Sequence, residues 1–180
     1  MTRTLHAALM PFPSPQGTQG AVGAMVRSLR DRGDDVALFV HPHGDGTACD
    51  LPLVRSPRAT FGSSLRSGPT LGRAALDALA IPSLARASKD AVLFAHNVEA
   101  ATAARLIRAP YAFVAHTLMS RELPYYARRG AAVLSGLGDA LDHLAASRAD
   151  VVTAISPKLV QDLEARFARE VTYLPLPWRP

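Results

Sequence analysis

Several short clusters in this chain carry side chains or backbone able to do chemistry. Gly17-Thr18-Gln19-Gly20 lies between an apolar run and an amphipathic pattern. A glycine-rich turn at a helix start directs backbone N–H groups and a positive helix end toward an anion such as a phosphate. His41, His43 and Asp45 sit in "HPHGD", and His96, Asn97 and Glu99 in "AHNVEA". His116, Arg121 and Glu122 fall in "AHTLMSRELP". Imidazoles and carboxylates so placed suit hydrogen bonding or proton transfer to a bound substrate. Each also has a plain structural reading. His116 can cap a strand end, Glu122 can be a loop carboxylate, and Glu99 in a first helical turn favours the helix dipole without any function. Asn97 and Ser156 are placed as N-caps.

The pattern "HPHGD" imitates part of the H-x-H-x-D-H set of binuclear metallohydrolases. The position after Asp45 is Gly46 rather than His, and no other ligand cluster is evident, so no metal is expected. Arg121, Arg128 and Arg129 lie near Tyr125 and Tyr126. They suit an anionic membrane surface or a phosphorylated acceptor, or simply a solvated basic face.

Positioning these groups requires elements that end near one another. The pattern predicts strands over 4–10, 35–40, 90–95, 111–115, 150–155 and 170–176. Helices are predicted over 20–33, 71–80, 97–107, 131–149 and 156–168, with Gly33 closing the first and Pro157 opening the last. Residues 41–63 read as irregular. Apolar strands alternating with helices imply an α/β fold with a mostly parallel sheet, covered on both faces. Ligands of such sheets bind at the carboxyl ends of strands. The turn at 16–20, His41 and His43, His96 and Asn97, His116 and Thr117, and Ser156 all directly follow a predicted strand. They are therefore expected along one edge.

Length and composition bound the alternatives. A chain of 180 residues fits one domain, able to bury roughly 70% of its unfolded surface. Hydrophobic content of 48% and charged content of 19% are ordinary for a globular protein. A net charge of +5 favours anionic partners without choosing among them. No nucleic-acid-binding module accompanies the charge, so no nucleic-acid partner is expected. Cys49 is the only cysteine, which excludes a disulfide framework or a cysteine zinc site. The apolar run at the N-terminus is broken at Pro11, too early for a signal peptide, and no run of about 18 apolar residues exists to span a bilayer. These features lead to the expectation of a cytoplasmic protein, peripheral to a membrane at most. The dinucleotide fingerprint and the Walker lysine are both absent, since the glycines fall at 17, 20 and 23.

"PFPSPQGTQGAVGAMVRSLRDRGDDVALF" is similar to the N-terminal segment of family 4 glycosyltransferases, which have the two-domain GT-B fold. The resemblance continues in order through "DAVLFAHNVEAATAA", "PYAFVAHTLMSRELPYY", "ADVVTAISPKLVQDL" and "VTYLPLP", and so covers nearly the whole chain. One departure is Asp34, where the family usually has a histidine after glycine. The resemblance implies a Rossmann-like, doubly wound domain over residues 1–174 and the start of an interdomain linker at 175–180. A C-terminal domain that holds most of the nucleotide-sugar is then absent.

By the same resemblance, Gly17, Thr18, Gln19 and Gly20 match the loop near the donor diphosphate, and His116 matches a histidine beside the transferring sugar. Glu122 and Arg121 would line the acceptor side, with His96, Asn97 and Glu99 facing the same cleft. The implied activity is retaining sugar transfer from a nucleotide-sugar co-substrate to a glycan, lipid-linked or small-molecule acceptor, with no tightly bound cofactor or metal. The acceptor-side half is expected to be inactive without its donor domain. Two other readings stay open: a non-catalytic Rossmann-like partner subunit, and a metal-dependent hydrolase built on the strand-end histidines.

Overall fold

Strand-forming β-branched and aromatic runs alternate with alanine- and leucine-rich helices, and the chain winds accordingly. The computed structural model describes residues 2–62, 64, 65, 68, 70–126 and 130–177. Arg128 and Arg129 of the predicted basic group, and residues 178–180 of the predicted linker, lie outside the described residues. The strands are β1 (Arg3–Ala7), β2 (Val36–Val40), β3 (Leu53–Arg55), β4 (Ala91–Ala95), β5 (Tyr111–Ala115), β6 (Val151–Ala154) and β7 (Thr172–Tyr173). They form one sheet in the order β3-β2-β1-β4-β5-β6-β7. Every neighbouring pair is parallel. The order reverses between β1 and β4, which makes a crevice at their carboxyl ends.

The helices are α1 (Gly17–Asp31), α2 (Leu71–Ala87), α3 (Val98–Leu106), α4 (Met119–Glu122), α5 (Ala131–Ser147) and α6 (Pro157–Phe167). A 3-10 turn, Leu123–Tyr126, follows α4. Helix α1 packs Val22 and Val26 against Leu38 and Val40 of β2 on one side of the sheet. On the other side, Ala80 and Leu84 of α2, Ala100 and Ala104 of α3, and Ala145 and Ala146 of α5 join Leu5, Phe39, Leu93 and Phe113. The alanines let three helices lie close to the strands. This is the doubly wound α/β fold that the alternating pattern implies.

Several details differ from the sequence reading, among them the first strand, which ends at Ala7 rather than residue 10, and the unpredicted α4. The predicted glycine turn is the first turn of α1, which begins at Gly17 rather than at residue 20. Residues 41–63 contain an edge strand, β3, which pairs with β2 from Leu38 to Val40. Its three residues are too few to show a period. Helix α2 runs through Pro82 to Ala87. The buried Ala80 and Leu84 anchor it on both sides of the proline, so tertiary packing outweighs one lost hydrogen bond. β7 covers only residues 172–173 of the predicted 170–176, because its sole neighbour is β6.

Candidate functional site

A cleft of about 710 Å³ opens at the crevice where strand order reverses. Gly17, Thr18 and Gln19 form one wall, and Arg73 and Asp77 of α2 close a second. His96, Asn97, Glu99, His116 and Thr117 come from the ends of β4 and β5, and Arg121, Glu122, Tyr125 and Tyr126 from the segment that follows. The structure thus brings together every predicted site residue except Gly20. That residue is exposed and does not line the cleft, and its N–H donates to the Gln16 carbonyl at 3.0 Å.

The α1 wall is an uncapped helix start. Gln16 occupies the N-cap with no capping side-chain bond, and no acidic residue stands in the first turn. The first N–H groups of a helix lack intrahelical acceptors and carry its positive end. A Cβ at Gly17 or Gly20 would meet nothing within 4 Å. The chain's own packing therefore does not require glycine at either position, and the space above Gly17 is open.

Asn97 holds the opposite wall to β1. Its Oδ1 accepts from Ala100 N at 3.1 Å and Leu9 N at 3.2 Å, and its Nδ2 donates to Leu9 O at 3.1 Å. The predicted cap is real, and it also ties α3 to the end of β1. Ser156 caps α6 by accepting from Leu159 N at 3.3 Å.

His96 does not stand alone. Its Nε2 lies 2.8 Å from His6 Nδ1, and its Nδ1 lies 3.0 Å from His116 Nε2. Burial pushes His6 and His116 down to about 4. His96 falls well below the ordinary histidine value through burial first, then the neighbouring His6 and His116. All three rings are therefore neutral at pH 7. Glu99 moves the other way: burial, with the nearby Asp77 and Glu122 carboxylates, raises it to about 7 against its own backbone hydrogen bond and Arg73. A carboxyl there exchanges its proton near neutrality, as an acid–base group needs.

The remaining predicted groups are individually held. Glu122 Oε1 accepts from Tyr126 Oη at 3.0 Å. Arg121 pairs with Asp162 of α6 at 2.7 Å, so its charge is matched. Two of the "HPHGD" side chains are engaged separately. His41 Nε2 meets Asp77 Oδ1 at 2.8 Å, and Asp45 accepts from Thr47 N at 2.9 Å. Among the described residues no group of three or more His, Cys, Asp or Glu is placed to hold a metal ion. The sequence reading missed His6, Asp77 and Arg73. His6 had no local signal, since only the pairing of β1 with β4 brings it beside His96. Asp77 and Arg73 had none, because the pattern over 71–80 shows a helix but not where it packs.

The family model described as "Glycosyl transferase 4-like domain" matches residues 16–177. A sucrose-phosphate synthase from Thermosynechococcus elongatus superposes with a TM-score of 0.72 at 13% identity, covering 97% of this chain and 48% of that one. A UDP-glucose:anthocyanidin 3-O-glucosyltransferase, solved in complex with UDP, superposes with a TM-score of 0.52 at 10% identity, covering 100% of this chain and 54% of that one. The chain thus spans about half the length of these two structures, and at such identities they show the fold alone. No curated protein sequence matches. No helix among the described residues is long and apolar enough to cross a membrane.

Proposed function

We propose that this chain, which belongs to the glycosyl transferase 4-like domain family, is the acceptor-side half of a retaining glycosyltransferase. The observation that carries the proposal is the single cleft in which an uncapped helix start faces His116, Glu99 and Glu122. Retaining transfer proceeds through an oxocarbenium-like state, with negative charge building on the departing phosphate. The amides of Gly17, Thr18 and Gln19 would meet that charge without reorganising. His116 would orient the sugar or the incoming hydroxyl. Glu99 and Glu122 would hold acceptor hydroxyls, Glu99 as donor or acceptor according to its protonation.

The donor diphosphate finds one wall in this domain. A nucleotide-sugar-binding domain on the opposite side of the cleft would supply the other, and with it much of the positioning that near-attack geometry demands. The chain by itself should bind nucleotide-sugar weakly or not at all and should transfer nothing. Calorimetry and a transferase assay, run on this chain with and without a donor domain in cis, test this. Robust transfer by residues 1–180 alone would overturn the half-enzyme reading. In the two-domain protein, His116→Ala should lower kcat by roughly a hundredfold while the melting temperature stays near wild type. Full turnover by that folded variant would remove His116 from the chemistry.

A further inference from the structure

Three histidines on adjacent strands form a line that climbs the sheet. His6 lies opposite Phe94 in the β1–β4 register, and Phe94 lies opposite Ala112 in the β4–β5 register. His96 is two residues beyond Phe94, and His116 is four beyond Ala112. Each step moves one strand across and two residues up the same face of the sheet. The line starts at His6, which is 4% exposed, passes through His96, which is 1% exposed, and ends at His116 on the cleft. Ring centroids are 5.0 Å and 5.3 Å apart. With ring nitrogens 2.8 and 3.0 Å apart, the rings meet nitrogen to nitrogen rather than face to face. His6 is held from its side by Phe94, stacked at 4.8 Å with an interplanar angle of 7°.

Three neutral imidazoles joined by two hydrogen bonds have only two proton arrangements. In one, every ring carries its proton on Nδ1: His6 Nδ1–H donates to His96 Nε2, His96 Nδ1–H donates to His116 Nε2, and His116 keeps an Nδ1–H. In the other, every proton sits on Nε2 and every bond runs backward. The end atoms decide between them. His6 Nε2 and His116 Nδ1 are both buried without a hydrogen-bond partner among the described residues. The backward arrangement leaves an orphan N–H at His6, deep in the sheet face. Both end atoms are equally shielded in the ligand-free chain, but the forward arrangement puts the unpaired N–H on His116, whose ring lines the cleft, while His6 does not line it. A buried unpaired donor is costly, and only the one on His116 stands beside space where a bound oxygen can relieve it.

We propose that His6 and His96 are positioning residues that fix His116 as the Nδ1–H tautomer, a hydrogen-bond donor toward an oxygen bound in the cleft. His116 Nε2 is committed to His96, so Nδ1 is the only nitrogen left for a ligand. Identifying that oxygen as a sugar or acceptor hydroxyl rests on the proposed transferase function; the tautomer lock does not. The lock also requires three rings in the form that free histidine populates less in water.

Nitrogen-15 NMR of the ligand-free chain, labelled at histidine, reads the tautomers directly. At pH 7, His6, His96 and His116 should all be neutral and protonated on Nδ1. Protonation of His116 on Nε2, or a mixture of forms there, overturns the proposal. His6→Phe keeps a ring on Phe94 but removes the hydrogen bond, and should leave His116 in mixed tautomers. His6→Asn places an amide N–H where Nδ1–H was and should restore the single form, which also answers any loss of folding in the phenylalanine variant. An unchanged His116 signal in folded His6→Phe would overturn the relay. In a two-domain transferase, His6→Phe should lower kcat about tenfold with donor KM unchanged, and His6→Asn should recover most of it; equal rates in all three would refute the positioning role. A transferase unaffected by His116→Ala would sink the proposed function while the NMR result still stands.

Discussion

Glu99 is a carboxylate whose surroundings change its chemistry. Its folded-state value of about 7 lies above the ordinary 4.5. The folded chain therefore favours the protonated carboxyl, and the associated stability is complete below about pH 4.5 and lost as pH rises through 7. Glu99→Gln should leave the melting temperature near wild type at pH 5 and raise it at pH 8. Thermal unfolding of both proteins at the two pH values checks this, and equal melting temperatures at pH 8 would show that the carboxyl is effectively solvated. Gly17 makes a different point. The space above it is empty, so Gly17→Val should cost the isolated chain less than about 1 kcal/mol. In a two-domain transferase the same change should lower kcat/KM by roughly a hundredfold, by obstructing the donor phosphate at the helix start. Parallel urea melts and kinetics separate the two effects.

Among the elements, α4 matters most to the site because it carries Arg121 and Glu122, and at four residues it cannot hold its own shape. Helix α5 supplies the support. Asp142, 2% exposed, accepts from Met119 N at 2.9 Å and Ser120 N at 3.1 Å, and so caps α4 from outside. Gly138 lets the two backbones touch: a Cβ there would overlap Ser120 N and Met119 C. Gly136, on the same helix, has nothing within 4 Å of its missing Cβ. The two glycines should therefore respond oppositely to alanine. Gly136→Ala should stabilise by up to about 1 kcal/mol through helix propensity. Gly138→Ala should destabilise by about 1–3 kcal/mol, because backbone must move. Urea denaturation of the pair decides this, and a neutral Gly138→Ala would mean that α4 yields easily.

For the molecule as a whole, the histidine line sets an acid limit on stability. His6 and His116 are held at about 4 in the folded chain and His96 well below its ordinary value, against roughly 6.5 unfolded. These groups contribute stability that is complete above pH 6.5 and lost as pH falls toward 4, since the unfolded chain takes up the protons. Unfolding near pH 5 should bind up to three protons from this source, and Glu99 opposes it on the alkaline side. Stability should therefore be greatest near about pH 6–7. Melting temperatures across pH 4.5–9 test the curve; a profile flat from pH 7 to 5 would mean that the three rings are hydrated. His6→Asn should weaken the acid limb by one proton.

Sequence alone determined the layer architecture. Apolar strands of five to seven residues, separated by helices, can satisfy backbone groups and bury both faces only in a covered parallel sheet. The addresses of the polar clusters followed, because every strand end in such a sheet points to one edge. The residues matched by the family resemblance, except Gly20, do line the cleft there, whereas His41, His43 and Ser156 do not, and Asn97 and Ser156 cap helices as their types and positions implied. Local signals also failed in specific ways. Glycine spacing could not show that residues 17–20 open α1 rather than precede it, and β3 is too short to carry a period. Tertiary structure decided what depends on strand order and register. Nothing local places His6 beside His96, since 90 residues separate them; only the β1–β4–β5 adjacency aligns three rings on one diagonal. The same holds for Asp77 and Glu122 raising Glu99, and for Arg121 turning to Asp162 of α6. Residue type and local pattern determine which groups reach the edge of the sheet, whereas burial and through-space neighbours set the charge, tautomer and partner each group has there.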